Sequence, residues 1–378
     1  IVAAMALSVL VGVTVTAQHT PAWAAQYDVI ATIPVGNYPN GVAFSPDGTK
    51  AYVTNRLGHS VSVIDTNTHT LNALTPTVTD YDGFSPAGVA FSLDGTKAYV
   101  ANSCLCSSGT KKVVSVINTA DNSFVEHITV GVQPSGVAVS PDGTKAYVTN
   151  SGDDTVSVIR TADNTVIDTD AVAGGINGIA VGDVPHTVAF SPDGTKAAVT
   201  NSGSTNVGGF RYTLSIIDTT NYNIITTITG LGDRPRGVAF SPDGTKAYVT
   251  IRNADFVRVF DTNTYNEITT IAVGNQPLAV AFSPDGTKAF VTNEDDDTVS
   301  VIDTTTYNEI ATITVGIEPG AVAVSPDGNI AYVTNAQSDT VSVIDLRANA
   351  ISSDSSNSGG GTDPGIFLNV AGPVGESA

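Results

Sequence analysis

Apolar and polar positions alternate along this chain in short runs, and the runs come in sets that recur. One set reads PNGVAFSPDGTKAYVTNRLGHSVSVIDT from Pro39 onward. Residues 41–45 and 51–55 are runs of β-branched, aromatic and small side chains on either side of Ser-Pro-Asp-Gly-Thr-Lys. That spacer predicts a tight hairpin: proline pre-sets φ at the second turn position, aspartate tolerates the bridge region, and glycine takes the φ > 0 position that closes the turn. Residues 61–65 alternate as a third strand, and a fourth run follows, plainest as Glu309-Ile-Ala-Thr-Ile-Thr-Val315. No helical period interrupts the set, so each copy predicts a four-stranded antiparallel meander. The two inner runs are apolar on both faces, so every sheet must be covered by a neighbouring sheet on each side.

The turn aspartates fall at Asp47, Asp94, Asp142, Asp193, Asp243, Asp285 and Asp327, which makes seven copies spaced 42 to 51 residues apart. That period predicts propeller blades or a solenoid. The two ends of the chain decide between them. The last copy has no fourth run of its own after Asp345, whereas Tyr27-Asp-Val-Ile-Ala-Thr-Ile-Pro-Val-Gly36 matches Tyr307-Asn-Glu-Ile-Ala-Thr-Ile-Thr-Val-Gly316 at most positions. One blade built from both ends closes a ring, and Pro34 fits an outer edge strand that can lack an N–H. The expectation is an all-β, seven-bladed β-propeller of four-stranded antiparallel blades over residues 25–346.

The repeated G-V-A-F-S-P-D-G-T-K-A-Y-V-T-N and V-S-V-I-D-T strings resemble the YVTN family of seven-bladed propellers, found in surface-layer and other secreted proteins, over about residues 27–346. The resemblance implies fold and an extracytoplasmic place more than chemistry. Related propellers include the haem d1 domain of nitrite reductase, quinoprotein amine dehydrogenase subunits and a ring-cleaving lactonase, and fold alone does not choose among them.

Residues 1–24 differ in kind. An apolar run over residues 1–15 is followed by Ala22-Trp23-Ala24, an A-x-A cleavage signal, and reads as a signal peptide whose start lies upstream of Ile1. The run is short of the ~20 residues that span a bilayer, so the mature chain is expected to be secreted, at the cell surface or periplasmic, with no transmembrane helix. Residues 347–378 open on a Ser-, Asn- and Gly-rich stretch, expected to be a linker or a disordered tail. The formal net charge of −20 repels phosphate backbones and excludes nucleic acid as a partner.

Candidate chemistry concentrates on one face. The Asp-Gly hairpins keep a single length, while the extra residues of the longer repeats fall in two other connections, 74–85 and 168–184 after the fourth strand, 103–112 and 202–213 after the second. In an up-and-down blade those two emerge together, opposite the hairpins. One elaborated face predicts a protein, glycan or cell-envelope partner for a monomeric propeller. Arg236 follows the blade-start Pro235 where other copies have Asn40, Ala87, Ser135, His186, Leu278 and Gly320, a ring expected at the mouth of the central channel. Arg56 and Arg252 share the position just past the second strand. His186, Arg234, Arg236, Arg252 and Arg56 are therefore the candidate ligand-binding residues, suited to a carboxylate or other anion. Pairing with Asp233, Asp255 and the Glu294-Asp-Asp-Asp297 loop is the competing expectation.

That acidic loop offers oxygen ligands for Ca2+, but lacks the spacing and turn glycine of a calcium loop. Cys104 and Cys106 stand two apart, as a small disulfide or as free thiols, without the further ligands of a metal site. No C-x-x-C-H, H-E-x-x-H, G-x-S-x-G or P-loop occurs. These features predict a non-catalytic binding scaffold with no catalytic residues and no cofactor; the alternative is an enzyme or cofactor-binding propeller, lactonase-like or haem d1- or quinoprotein-like, working at the channel mouth.

Overall fold

The computed structural model describes residues 27–76, 84–104, 112–169, 178–203 and 212–347. Within residues 25–347 each repeat forms one antiparallel sheet, seven in all. They are numbered here as blades 1 (39–76), 2 (84–129), 3 (134–180), 4 (185–228), 5 (235–272), 6 (277–314) and 7 (319–345 with 29–34). The first strand of each blade touches the first strands of the blades before and after it, and blade 7 touches blade 1, so the cycle is complete. This is a seven-bladed β-propeller.

The closing strand, Val29–Pro34, pairs antiparallel with Thr340–Asp345 of blade 7, with Ile33 opposite Val341 and Pro34 opposite Thr340. Bonds from Val35 N to Asp339 O and from Asp345 N to Asp28 O, each 2.9 Å, extend the ladder past both ends. Blade 3 departs from the simple meander. Its outer strand comes in two pieces, Thr165–Ile167 and Ile179–Ala180, both paired to Thr155–Arg160, so the insertion interrupts that strand instead of following it.

Each letter of the second strand has its own physical task. In Lys50–Asn55 every residue after the lysine is buried. The tyrosine fills the gap between blades: Tyr332 packs on Phe44 of blade 1 with ring centroids 4.8 Å apart, and its Oη lies 2.8 Å from His69 Nδ1. Full burial of such a side chain stabilises by roughly 1.5–3 kcal/mol, which is why an aromatic recurs where two sheets face each other. The threonine crosses to the next blade and donates to the carbonyl of the residue after its proline, as Thr149 Oγ1 to His186 O (2.9 Å), Thr200 Oγ1 to Arg236 O (2.6 Å) and, across the closure, Thr334 Oγ1 to Asn40 O (2.9 Å). The asparagine ties the third strand, Asn55 Nδ2 donating to Ser60 Oγ and Ser62 Oγ at 3.0 Å.

The hairpin repeats for an equally local reason. Ser45 Oγ donates to Asp47 Oδ1 (2.6 Å), and Asp47 Oδ1 accepts from Thr49 N (3.1 Å), while Gly48 holds φ at 70°. These bonds favour the ionised carboxylate, so Asp47, Asp94, Asp142, Asp193, Asp243, Asp285 and Asp327 all titrate below the ordinary aspartate value, the serine hydroxyl being the largest cause. A group with a depressed folded pKa contributes stability that is complete above its unfolded value and lost as pH falls toward the folded one. His186 and His69 act likewise at higher pH, because burial holds each below its ordinary 6.5. The expected melting-temperature profile is a shallow decline below pH 6.5 and a steep one below 3.8; a midpoint flat from pH 7 to pH 3 contradicts this account.

Candidate functional site at the channel mouth

The first strand of each blade carries a bulge just after its proline, seen as a register shift between Pro185 and Val188 in blade 4 and between Pro235 and Val238 in blade 5. A bulge re-aims one side chain out of the pleat. Here the re-aimed positions include His186 and Arg236, and both face the central cavity. A second ring comes from the residue just past each second strand, held by its N–H on the carbonyl of the residue before the blade-start proline: Arg56 N to Tyr38 O (2.9 Å), Arg252 N to Arg234 O (3.0 Å), Glu294 N to Gln276 O (3.1 Å). The cavity enclosed has a volume of about 470 Å3, within the range of small-ligand and cofactor sites. Its floor is apolar, made by the valine of each first strand, from Val42 in blade 1 to Val322 in blade 7.

Of the five residues singled out from sequence, His186, Arg236, Arg252 and Arg56 line this cavity and Arg234 does not. Arg234 is exposed, with φ at 61°, and engages Tyr212 and Asp233. Arg252 forms an ion pair with Glu294 of the next blade. Arg236 and Arg56 have no carboxylate partner among the described residues, and Arg236 Nε is shut off from water without a hydrogen bond. Burial, then the nearby Arg252, push the Arg236 guanidinium down to about 10 against an opposing pull from Glu294, with smaller downward pushes from Arg234 and Arg56. His186 is held well below the usual histidine range by burial and by Arg236, Arg56 and Arg252, in that order. Its imidazole is therefore neutral at pH 7. Its Nδ1 lies 3.3 Å from Thr187 Oγ1, and Nε2 has no partner among the described residues.

Three further cavity residues escaped the sequence reading as site residues. Tyr38 and Glu318 stand before their blade-start prolines, and Glu294 shares the position of Arg56 and Arg252. Tyr38 Oη donates to Glu318 Oε2 at 3.4 Å, and burial, Glu318 and Glu294 raise the phenol above its ordinary value. The signal was available in the residue before each proline. Tyr38 and Glu318 sit at φ 54° and 55°, a left-handed conformation held by aspartates of the preceding blades, Tyr38 N to Asp339 Oδ1 (2.7 Å) and Glu318 N to Asp297 Oδ1 (2.9 Å).

The acidic loop does not form the Ca2+ site entertained from sequence. Glu294 serves Arg252, Asp296 binds Asn275, Asp297 binds Glu318 N and Asp295 binds the Gln276 amide. Among the described residues no group of three or more ligating side chains is placed to hold a metal ion. The side chain of Cys104 and all of Cys106 lie outside the described residues.

The model of the cytochrome D1 heme domain matches residues 19–336, most of the chain and every residue that lines the cavity. The chain belongs to the cytochrome D1 heme domain family. The family corrects two expectations. A non-catalytic surface scaffold without a cofactor is overturned, because the family is one of haem domains and the site at the channel mouth is the place where the sequence's alternative reading put one. The YVTN resemblance holds for the seven-bladed fold and not for the family. No curated protein sequence matches. Among solved structures the chain is similar to Kuenenia stuttgartiensis hydrazine synthase, with a TM-score of 0.70, 23% identity, and coverage of 82% of this chain and 96% of that one. At that identity the likeness shows the shared fold alone.

Proposed function

We propose that this member of the cytochrome D1 heme domain family is an extracytoplasmic, haem-binding enzyme-type propeller whose cofactor is held at the channel mouth. The observation that carries the reading is His186: a neutral imidazole lining the cavity, whose Nε2 has no partner among the described residues, beside Arg56 and Arg236, which have no carboxylate partner among them either. That donor set fits an acidic macrocycle. A neutral imidazole nitrogen would serve as a ligand to haem iron, and guanidinium forks would suit its carboxylate side arms. When bound, the group supplies reversible one-electron chemistry at iron.

The chain's own residues do the rest. His186 Nε2 would hold the iron, and Thr187 Oγ1, 3.3 Å from Nδ1, would orient the ring. Arg56, Arg236 and Arg252 supply the positive field. The valine floor keeps water from the inner side of the site. Tyr38, kept protonated by its raised pKa, presents a hydroxyl on the wall next to Arg56. The extracytoplasmic part rests on the apolar run and Ala22-Trp23-Ala24; among the described residues no helix is long and apolar enough to cross a membrane.

The test is a titration of the purified full chain with haem d1 and, separately, haem b, followed by absorbance. Saturation at one equivalent, with a spectrum unlike that of the free cofactor, is the expected result. A spectrum that tracks free haem throughout both titrations overturns the reading.

A further inference from the structure

Adjacent blades are tied on the hairpin side by two devices, and the seam between blades 7 and 1 alters both. The first is the hairpin lysine: Lys50, Lys97, Lys145 and Lys196 each donate to a threonine carbonyl of the following blade, at 2.6 to 3.1 Å. Blade 7 has Ile330 at that position, so no ammonium reaches blade 1 from there. The second is the tyrosine of the second strand. Tyr52 and Tyr99 donate from Oη to Asn122 Oδ1 (2.5 Å) and Asn164 Oδ1 (3.1 Å), carboxamides of the next blade whose backbone sits at φ 59° and 57°. Tyr332 meets His69 at the same turn position, with φ at 54°. A ring nitrogen that takes up a proton thus stands where blades 2 and 3 present an acceptor that does not titrate.

Tyr332 is fully buried, and its Oη makes no other hydrogen bond among the described residues. The phenol therefore donates and Nδ1 of a neutral His69 accepts. Protonation removes that lone pair: Nδ1–H then points at Oη, and the phenol's own hydrogen, shut between two sheets, is left without an acceptor. We infer that the seam between blades 7 and 1 is an acid-sensitive joint of the ring, with His69 as its sensor and the Tyr332 hydroxyl as the contact that fails. Burial holds the His69 ring below the ordinary 6.5, and Asp65 in its own turn opposes that. Lys50, in register with Asp65, is tied away to blade 2. On the facing blade Asp327 is engaged by Ser325 and Asn329, Asp345 by Arg347, and Asp28 is exposed. A folded-state value below the unfolded one means that the closed seam has its full support above pH 6.5 and loses it as pH falls. The inference does not depend on the cofactor.

Four equivalent amides report on the seams separately. Tyr38 N is held by Asp339 across the 7–1 seam, as Val184 N, Gln276 N and Glu318 N are held by Asp154, Asp255 and Asp297 across others. Glu318 is the strictest control: at its seam Lys288 turns to Asp303 of its own blade and Phe290 has no hydroxyl, so both ties are missing there without a histidine. The experiment is residue-resolved hydrogen–deuterium exchange of the purified full chain at pH 7 and pH 5, corrected for intrinsic rates. Protection at Tyr38 is expected to fall at least about threefold more than at the other three amides. His69→Asn, which copies Asn122 and Asn164, should remove that excess, whereas His186→Gly should leave it in place. Equal falls at all four amides in the parent overturn the proposal, as does an excess that survives His69→Asn or vanishes in His186→Gly. Should His69→Asn give no cooperative melt, the parent and His186→Gly decide by the same outcomes. A chain that shows the excess but takes no haem refutes the cofactor reading and leaves this one standing.

Discussion

A chain that begins at Gly36, lacking the strand Val29–Pro34, is expected to give no cooperative thermal melt and to elute as aggregate in size-exclusion chromatography. Blade 7 keeps its own three strands, Pro319–Val324, Ile330–Asn335 and Thr340–Asp345, so local structure is not what is lost. What is lost is the cover on Thr340–Asp345, whose outward N–H and C=O groups would become an open edge able to pair with another chain. The cluster of Ile33 with Val53, Tyr332, Val341 and Val343 would be opened at the same place. Closing the ring joins residues some 300 positions apart, as in the pairing of Val29 with Ile344. By loop-closure scaling that costs about 3 kcal/mol more than closing a hairpin of ten residues, and the terminal strand is what offsets it. The milder variant Ile33→Ala, at a side chain 3% exposed, should lower unfolding free energy by about 2–5 kcal/mol in urea. A truncated chain that melts as the parent does would show that the ring is shut by something else.

Replacing His186 with glycine is expected to weaken haem d1 by at least about 100-fold, since changes one shell further from a metal already cost 10–100-fold. The fold should survive the change, because Thr149 grips the backbone carbonyl at position 186 and not the imidazole. Added free imidazole should restore the parent spectrum by filling the vacated space. The same variant carries a second readout. Without a buried neutral imidazole to be protonated, the shallow loss of stability below pH 6.5 should shrink to the part due to His69, while the steep loss below 3.8 remains. Unchanged haem affinity together with an unchanged spectrum would move the iron ligand away from His186.

Much of the architecture was readable before any coordinates. The Ser-Pro-Asp-Gly-Thr-Lys turn is specified within six residues, since its serine, aspartate and threonine satisfy one another. The terminal strand was readable for a different reason: its match to Glu309-Ile-Ala-Thr-Ile-Thr-Val315 is a copy of letters. The break in blade 3's outer strand was not readable, because residues 165–167 and 179–180 rejoin the same partner across an insertion that carries no marker of where pairing resumes. The site was half readable. His186 and Arg236 could be assigned to the channel from their place after the blade-start proline, but that Arg252 is neutralised and Arg236 is not depends on which blade brings Glu294 alongside.

Period, hairpin chemistry, alternation and the matching ends are local or self-comparing properties, and they specified a closed ring of seven blades. Charge balance at the axis is of another kind. It arises where side chains from blades 1, 4, 5, 6 and 7 meet in a single cavity, and the sum of charges there, the neutral state of His186 and the pairing of Glu294 with Arg252 and not with Arg236 follow from distances between residues up to about 280 positions apart, such as Tyr38 and Glu318. Electrostatic free energy depends on separation and burial, and neither is written in the order of residues along the chain.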